Sequence, residues 1–392
     1  MISMSKTIFF IVFIILVCSF FNITEISLGK NDLIINDNEM EWHLDRISIR
    51  GAWEITIGSP DIIVAVIDSG IDFSHPELID AQWINKDEKP DNGKDDDNNG
   101  YIDDRYGYDF YYDDNVPGPD GTILIHGHAT YIAGILAAKM DGEGVVGVAP
   151  HVKMMNLQIM DKFLFGTSAN LAKAIHYAVD NGADVLNFNL ELYENTTELQ
   201  EAIQYAYEHN IIMIAETGGF GYRNRRVPPC EHIEIPGAYE HVIVVVPTDF
   251  GDEIADCSNW GEGIEIAAPG GDLNDDFEDW ITSTYTSSTY GELQGIAQIP
   301  QVSGIIALMK SLNKSITLEQ VREILHSTAI DLGDPGLDIY YGYGMLNATA
   351  AILEAAKIAE PRRTGNSLIP VIIPLILGVI VLSLKKKRKS DF

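Results

Sequence analysis

Two parts of the sequence carry side chains of the kind that perform chemistry. Asp68 ends the apolar run Ile62–Ile67, where a buried carboxylate is costly unless it has a partner. The second part is the acidic stretch Asp95–Asp104, in which oxygen-bearing side chains alternate before a glycine. Closely spaced carboxylates can hold a cation. The two parts therefore predict a buried carboxylate that needs a partner and a metal loop.

The acidic stretch has the spacing of a calcium loop. Carboxylate and amide oxygens at alternate positions, followed by Gly100 at a sharp turn, match the first half of an EF-hand loop. The predicted Ca²⁺ ligands are Asp95, Asp97, Asn99, the backbone carbonyl of Tyr101, and Asp103. Tyr106 stands where an EF-hand has its last glutamate, so the loop is not an EF-hand. The alternative is a solvated acidic loop without an ion.

Strand-like and helix-like segments alternate along the chain. The predicted strands are Ile62–Ile67, Val152–Gln158, Val185–Leu190, Ile211–Ala215, Val242–Val246 and Ile264–Ala267. The predicted helices are His128–Lys139, Ala169–Asn181, Thr197–His209, Ala297–Leu312, Met345–Lys357 and one through Ser327 that begins with a capping box at Thr317 and Gln320. This alternation predicts a doubly wound α/β fold, with a mostly parallel sheet covered by helices on both faces.

Charge and cysteine content limit the possible partners. The formal net charge of −32 repels nucleic acid and favours cations and basic partners. Of the three cysteines, Cys18 lies in a segment predicted to be removed. Cys230 and Cys257 either form a disulfide in an exported protein or remain free. We expect a monomer that does not bind nucleic acid.

The two ends of the sequence predict export and a membrane anchor. Residues 1–30 contain Lys6 and a long apolar run, which is typical of a signal peptide or signal anchor, and residues 31–40 form a short linker. Residues 367–384 carry no charge and are long enough to span a bilayer, with a basic tail at 385–392 that favours the cytoplasm. A sorting signal that is cut off and exchanged for another anchor is the alternative. Residues 359–366 would link the span to the main domain, 41–358, in which residues 87–120 form the acidic insertion.

V-A-V-I-D-S-G-I-D-F-S-H-P-E-L at Val64–Leu78 resembles the first catalytic segment of the subtilisin-like serine proteases and places Asp68 at its aspartate. The resemblance to this family extends from about Glu41 to Leu353. Further similar blocks follow in order at Gly147–Pro150, Ile235–Val245, Ala267–Gly270 and Tyr341–Ala348. The stretch Asn92–Asp104 also resembles an acidic insertion of some family members. The resemblance implies the subtilisin fold and a serine-type endopeptidase ancestry.

The remaining catalytic segments depart from the family pattern. The histidine segment, read as G-H-A-T-Y-I-A-G over Gly127–Gly134, places Tyr131 at the base. In the serine segment, Pro300 and Gly304 fix the register and place Ile296 at the nucleophile. The asparagine segment places Gly219 at the oxyanion donor. An isoleucine has no nucleophilic atom, glycine has no side-chain amide, and a phenol is a poor base at neutral pH.

The strand along which substrate would lie also departs from the family pattern. Asn189-Leu190-Glu191 stands there in place of S-L-G. For Asp68 we weigh two partners, the hydroxyl of Tyr131 and the backbone amides of the following turn. A relocated site remains an alternative, since His128 lies one helical turn before Tyr131 and could point towards Asp68.

The sequence thus predicts a non-proteolytic subtilisin homologue, exported and membrane-anchored, that binds peptide or protein ligands and holds structural Ca²⁺. The alternatives are an active serine endopeptidase with a relocated site and a structural cell-surface protein.

Overall fold

The strand-length apolar runs form one sheet in a computed structural model that describes residues 42–119, 127–161, 163–219, 230–272 and 280–359. Its strands are β1 (Ile63–Asp68), β2 (Tyr108–Asp109), β3 (Lys153–Gln158), β4 (Val185–Phe188), β5 (Ile212–Glu216), β6 (Val242–Thr248) and β7 (Ile264–Pro269). They lie in the order β2-β3-β1-β4-β5-β6-β7, and all pairs are parallel.

Helices cover both faces of this sheet. In chain order they are α1 (Trp42–Arg46), α2 (Ile49–Trp53), α3 (His128–Ala137), α4 (Ser168–Asp180), α5 (Thr197–Glu208), α6 (Gln298–Leu312), α7 (Leu318–Thr328) and α8 (Ala348–Ala359). Val64 and Val66 of β1 pack in one core with α3 and α6, whereas Ala65 and Ile67 pack in the other with α4 and α5. Because both faces are buried, the strands are continuous apolar runs and do not alternate with polar residues.

The strand order reverses beside β1. From β1 the chain first builds β2 and β3 on one side and then continues with β4 on the other. In open parallel sheets, ligand sites form outside the carboxyl ends of the strands at such a reversal. Asp68 is the last residue of β1 and therefore lies at this position.

A second, two-stranded sheet covers the start of α3. β8 (Ile281–Tyr285) pairs antiparallel with β9 (Thr289–Leu293), and the connecting turn has Ser287 and Ser288 at positive φ. The side chains of Ser283 and Thr284 donate to the backbone oxygens of Tyr131 and Thr130. The sequence analysis did not predict this hairpin or the two short helices α1 and α2.

The predicted fold class is confirmed, and all six predicted strands occur. α7 begins with the predicted capping box, in which the Thr317 side chain accepts from Gln320 N at 3.4 Å and Gln320 Oε1 accepts from Thr317 N at 3.1 Å. The last helix begins at Ala348 and not at Met345, because Met345 exchanges backbone hydrogen bonds with Ile330.

Cys230 and Cys257 do not form a disulfide with each other, and Cys230 is exposed. Within the described ranges no helix is both long and apolar enough to cross a membrane. The predicted signal segment at 1–30, the linker at 31–40 and the predicted span at 367–384 with its basic tail lie outside those ranges.

Candidate active site

Three neighbouring strands bring polar side chains to one row at the carboxyl edge of the sheet. Val66 pairs with Asn187, and Asn187 pairs with Ile214, so two residues further on Asp68, Asn189 and Glu216 lie side by side. Side chains alternate between the two faces of a sheet. This row therefore points to the face that α3 and α6 cover, as Ile214 does.

Asp68 is fully buried, and its partner is the imidazole of His128 at the start of α3. His128 Nδ1 lies 2.9 Å from Oδ1 and 3.0 Å from Oδ2 of Asp68, while the backbone N–H of Ser69 donates to Oδ1 at 2.6 Å. This is the arrangement that fixes an imidazole tautomer and leaves Nε2 as the basic nitrogen. Burial lowers the pKa of His128, but the charge and hydrogen bond of Asp68 outweigh burial and raise the pKa above 6.5.

The prediction that Tyr131 holds the base position is wrong. Tyr131 is fully buried, and its hydroxyl donates to the backbone oxygens of Ile281 at 2.7 Å and Leu293 at 3.2 Å. It follows His128 by one turn of α3, and it points to the β8–β9 hairpin and not to Asp68. The hydrogen bond proposed between Tyr131 and Asp68 is absent, and the proposal that backbone amides satisfy Asp68 holds for Ser69 alone.

The sequence contained a signal for His128. A side chain in the first turn of a helix lies close to the strand that ends beneath that turn, whereas a side chain one turn later lies further from it. The pair Ala133-Gly134 fixes the register of this segment but does not indicate which of its residues contacts Asp68. His126 lies outside the described residues.

Ile296 lies at the start of α6, above the middle of the polar row. Asn189 Nδ2 donates to the backbone oxygen of Ile296 at 2.9 Å, so residue 296 stands at the edge of the sheet where Asp68 and Glu216 flank Asn189. The partly buried Ile296 side chain packs against the core formed with α3 and α6 and against a small cluster that contains Tyr131 and Ile281. Among the described residues, no hydroxyl or thiol hydrogen bonds to Nε2 of His128.

The backbone conformation and the close neighbours of Gly219 favour glycine at this position. Its φ is +111°, and a methyl group on its Cα would be 2.4 Å from the backbone oxygen of Cys257 and 2.9 Å from N of Asn259. Its N–H donates to Oε2 of Glu191 at 2.9 Å. The site therefore lacks the side-chain amide that would donate to an oxyanion. The backbone N–H of the same residue, Gly219, already donates to the carboxylate of Glu191.

Carboxylates gather on this side of the site. Glu216 is 7% exposed, and burial followed by the charges of Glu191 and Asp68 raises its pKa well above 4.5. Glu191 follows β4, and Glu216 ends β5. The sequence analysis noted Glu191 only as a departure from the family's strand and did not single out Glu216. The signal was an acidic residue at the carboxyl end of each of two neighbouring strands.

The acidic loop brings together only part of the predicted calcium ligands. Ligand oxygens of Glu88, Asp95 and Asp97 all lie within 4.8 Å of one another. Asp103 instead accepts from the backbone N–H groups of Asn92 and Gly93, at 2.9 and 2.8 Å.

A further predicted ligand, Asn99, also has other hydrogen-bond partners. Asn99 Oδ1 accepts from the backbone N–H of Tyr101 at 2.8 Å, and the Asn99 amide donates to Asp97 and Asp104. Glu88, nearly fully buried, was missed because it precedes the acidic run.

Known proteins resemble this chain over most of the described residues. A family model described as the subtilase family matches residues 59–344. A thermophilic serine proteinase of Bacillus sp. (strain AK1) is 31% identical over 303 residues, which is 77% of this chain and 64% of that protein. The minor extracellular protease Epr of Bacillus subtilis (strain 168) is 29% identical over 83% of this chain and 43% of its own length. The chain thus spans less than two thirds of the length of each of these two relatives.

Two comparisons cover more of the other protein. Subtilisin DY of Bacillus licheniformis is 34% identical over 227 residues, which is 58% of this chain and 77% of that protein. The crystal structure of a lanthipeptide protease superposes with a TM-score of 0.62 and 26% identity, covering 81% of this chain and 95% of that one.

Proposed function

This chain belongs to the subtilase family, and from that premise we propose that it does not cleave peptide bonds and instead binds a peptide or protein segment in the cleft over Asp68. One observation carries the proposal. Asp68 and His128 are paired as a base requires, yet residue 296, held over the polar row by Asn189, is an isoleucine.

The chemistry of acyl transfer explains why this substitution is decisive. A base at His128 Nε2 acts only if it can take a proton from a hydroxyl that then attacks the carbonyl carbon. In subtilisin itself, loss of the serine lowers kcat on the order of a millionfold, which corresponds to roughly 8 kcal/mol of transition-state stabilisation. The Ile296 side chain supplies no such hydroxyl.

The residues around Gly219 are also unfavourable for catalysis. The tetrahedral intermediate of peptide hydrolysis carries negative charge that must be met by hydrogen-bond donors. Here Gly219 lacks a side-chain amide, and its N–H is bound to Glu191. Glu216 adds a second carboxyl group at this edge of the sheet. A carboxylate beside the intermediate would raise its energy.

We further propose that the domain acts outside the cell. The apolar segment near the start of the sequence and the net charge of −32 support this. The resemblance to an extracellular protease of Bacillus subtilis agrees with it. We keep residues 367–384 as the proposed anchor.

The test is labelling with a fluorophosphonate probe together with hydrolysis of casein. We expect neither reaction from the unmodified protein, because both need an activated serine. Ile296→Ser restores the hydroxyl beside an existing base, and Ile296→Ala is its matched control. Labelling or hydrolysis by the unmodified chain that disappears in His128→Ala would establish an active peptidase with a relocated nucleophile. Failure of the unmodified chain to bind any peptide would favour the structural role.

We also propose a structural Ca²⁺ in the acidic loop, held by Glu88, Asp95 and Asp97. Ca²⁺ takes six to eight oxygen ligands at roughly 2.3–2.6 Å, and three carboxylates with closely spaced oxygens supply part of that shell. Burial raises the pKa of Glu88, and so do the charges of Asp104, Asp97 and Asp96, against one hydrogen bond from Asp96 N–H. A bound cation would compensate this repulsion.

Removal of calcium tests the loop. Saturation at about a hundred times Kd stabilises a folded protein by roughly 2.7 kcal/mol, so we expect a chelator to lower Tm by several degrees. Asp97→Asn should remove most of this response, whereas Asp87→Asn, an exposed neighbour, should retain it. An unchanged Tm on chelation would contradict the site.

A further inference from the structure

Three asparagines within the described ranges begin an N-x-[ST] sequence whose middle residue is not proline. The three sequons are Asn195-Thr196-Thr197, Asn313-Lys314-Ser315 and Asn347-Ala348-Thr349. This sequence is the acceptor for N-linked glycosylation in exported proteins, and a glycan is bulky and needs space at the surface. The structure places the three sequons in different surroundings, so it distinguishes between them.

The sequon at Asn347 takes part in a contact between helices. Asn347 is half-buried, and its Oδ1 accepts from the backbone N–H of Ala350 at 3.1 Å, which caps the start of α8. The Thr349 hydroxyl donates to the backbone oxygen of Ser48, and a methyl group on Gly51 of α2 would be 2.5 Å from Thr349 Oγ1. The fold therefore uses the polar groups of this sequon.

The sequon at Asn313 is closed by its own side chains. Asn313 is half-buried at the end of α6, and its Oδ1 accepts from the backbone N–H and the hydroxyl of Ser315, at 3.2 and 2.8 Å. Between them, Lys314 donates to the backbone oxygen of Asp61 at 2.8 Å and forms an ion pair with Asp184 at 3.1 Å. These contacts hold the sequon against the segment that leads into β1.

Asn195, by contrast, lies in the loop that leads from β4 to α5, and it is exposed together with its neighbours Tyr193 and Glu194. Its Oδ1 accepts from Gln200 Nε2 at 2.6 Å and from the Tyr239 hydroxyl at 3.0 Å. None of the residues that the structure describes accepts a hydrogen bond from Asn195 Nδ2. The two donors thus fix the amide through its oxygen and leave the nitrogen, the atom that carries a sugar, available.

Thr197 completes this sequon at the first position of α5. It is exposed, and no residue in the described part of the chain hydrogen bonds to its hydroxyl. The cap of α5 is made instead by Thr196, whose side chain accepts from the backbone N–H of Leu199 at 3.3 Å. The amide nitrogen of Asn195 and the hydroxyl of Thr197 are therefore both unused by the fold, unlike the corresponding groups of the other two sequons.

We propose that Asn195 carries an N-linked oligosaccharide. This inference rests on the proposal that the domain acts outside the cell, since sequons are modified in exported chains. In the transfer step, Asn195 Nδ2 forms a bond to the anomeric carbon of an oligosaccharide whose bond to the phosphate or pyrophosphate of a lipid carrier breaks. The lipid phosphate leaves with the electron pair of that bond, and the amide nitrogen gives one proton to a base of the transferase.

Mass spectrometry of the full chain tests this proposal. The protein is purified from the cells that produce it and digested, and the peptides that contain Asn195, Asn313 and Asn347 are compared. We expect the Asn195 peptide to be heavier by the mass of an oligosaccharide and to release sugar fragment ions. The Asn313 and Asn347 peptides should have their unmodified masses.

Single substitutions assign the modification to this sequon. Asn195→Gln removes the acceptor asparagine, and Thr197→Ala removes the hydroxyl but keeps the asparagine, so both should abolish the mass shift. Thr197→Ser preserves a sequon and is the matched control that should retain the shift. Asn347→Gln should also retain it, because the glycan is expected elsewhere.

Labelling of intact cells with an amine reagent that does not cross membranes separates this inference from the proposal on which it rests. A labelled domain whose Asn195 is unmodified would overturn the glycan proposal and leave the extracellular location intact. An unlabelled domain with an unmodified Asn195 would contradict both. A glycan on Asn313 or Asn347 with none on Asn195 would overturn the distinction that the structure makes between the three sequons, and this inference with it.

Discussion

The two halves of the cleft have diverged to different degrees. The base half, formed by the end of β1 and the start of α3, contains Asp68 and His128 in the geometry of a working pair. The acceptor half, formed by the ends of β4 and β5 and the start of α6, has an isoleucine, a glycine and carboxylates. If the whole site had decayed evenly, both halves would have changed. The difference indicates that the base half is retained because the fold needs it.

Physical chemistry gives a reason for that need. Asp68 is fully buried, and β1 lies near the middle of the sheet, so the carboxylate cannot turn towards water. Removing either partner of a buried pair leaves an uncompensated charge, whereas an isoleucine or a glycine leaves none. The acceptor half could therefore change with less cost to stability than the base half.

The largest effect should follow from breaking the base half. His128→Ala leaves Asp68 with the Ser69 N–H as its remaining partner, and we expect a loss of about 3–5 kcal/mol in the free energy of unfolding, measured with urea. His151→Ala, an exposed histidine, serves as the control and should cost little.

The pH dependence of that loss has a definite sign. The pKa of His128 is raised in the folded state, so the ionic part of its contribution is fully present below its ordinary value of 6.5. It should decline as pH rises through the folded-state pKa. The difference between the unmodified protein and His128→Ala should therefore be larger at about pH 6 than at about pH 9. A difference that grows with pH would contradict the pairing.

The second effect tests whether the acceptor half is fixed by its backbone. Gly219→Ala puts a methyl group 2.4 Å from the Cys257 oxygen at a φ of +111°, and we expect a loss of roughly 3 kcal/mol. Gly182→Ala is the matched control, since its φ is +77° but nothing lies within 4 Å of the added carbon. It should cost about 1 kcal/mol. Equal costs at both positions would show that the surroundings of Gly219 yield easily.

These backbone constraints also explain which parts of the site the sequence could predict. The parallel sheet and its helices follow from strand-length apolar runs such as Val242–Val246, which local composition specifies. Asp68 was found because its strand and its sequence block agree. The assignment of Ile296 to the nucleophile position rests on Pro300 and Gly304 of α6, and the backbone oxygen of Ile296 accepts from Asn189 at the edge of the sheet.

The roles of His128 and of the glutamates near Gly218 were missed because they depend on three-dimensional arrangement. Tyr131 and His128 differ by one turn of α3, and only the position of the β8–β9 hairpin shows which one meets Asp68. Glu191 and Glu234 are 43 positions apart in the printed sequence, yet a methyl group on Gly218 would contact both side chains. No local pattern encodes such convergence.

The third effect has the opposite sign and again concerns the acceptor half. The pKa of Glu216 is raised in the folded state, so ionisation costs the folded protein stability at every pH above its ordinary value of 4.5. Glu216→Gln should therefore stabilise the ligand-free protein near pH 8 and have almost no effect near pH 4. Thermal unfolding at both pH values measures this, with Glu201→Gln as the control. A loss of stability at pH 8 would mean that a charged partner already satisfies Glu216.

The smallest effect separates Tyr131 from the base half to which it was first assigned. Tyr131→Phe removes the hydroxyl that donates to the Ile281 and Leu293 oxygens and leaves the ring in place. We expect a loss of about 1 kcal/mol, since one hydroxyl hydrogen serves two backbone acceptors. The loss of stability caused by His128→Ala should depend on pH in the same way when Tyr131→Phe is also present. The reason is that Tyr131 stabilises the hairpin and does not contact Asp68. If the two substitutions instead couple by more than about 0.5 kcal/mol in a double-mutant cycle, the hairpin and the base half form one unit, and the boundary drawn between the two halves must move to include β8 and β9.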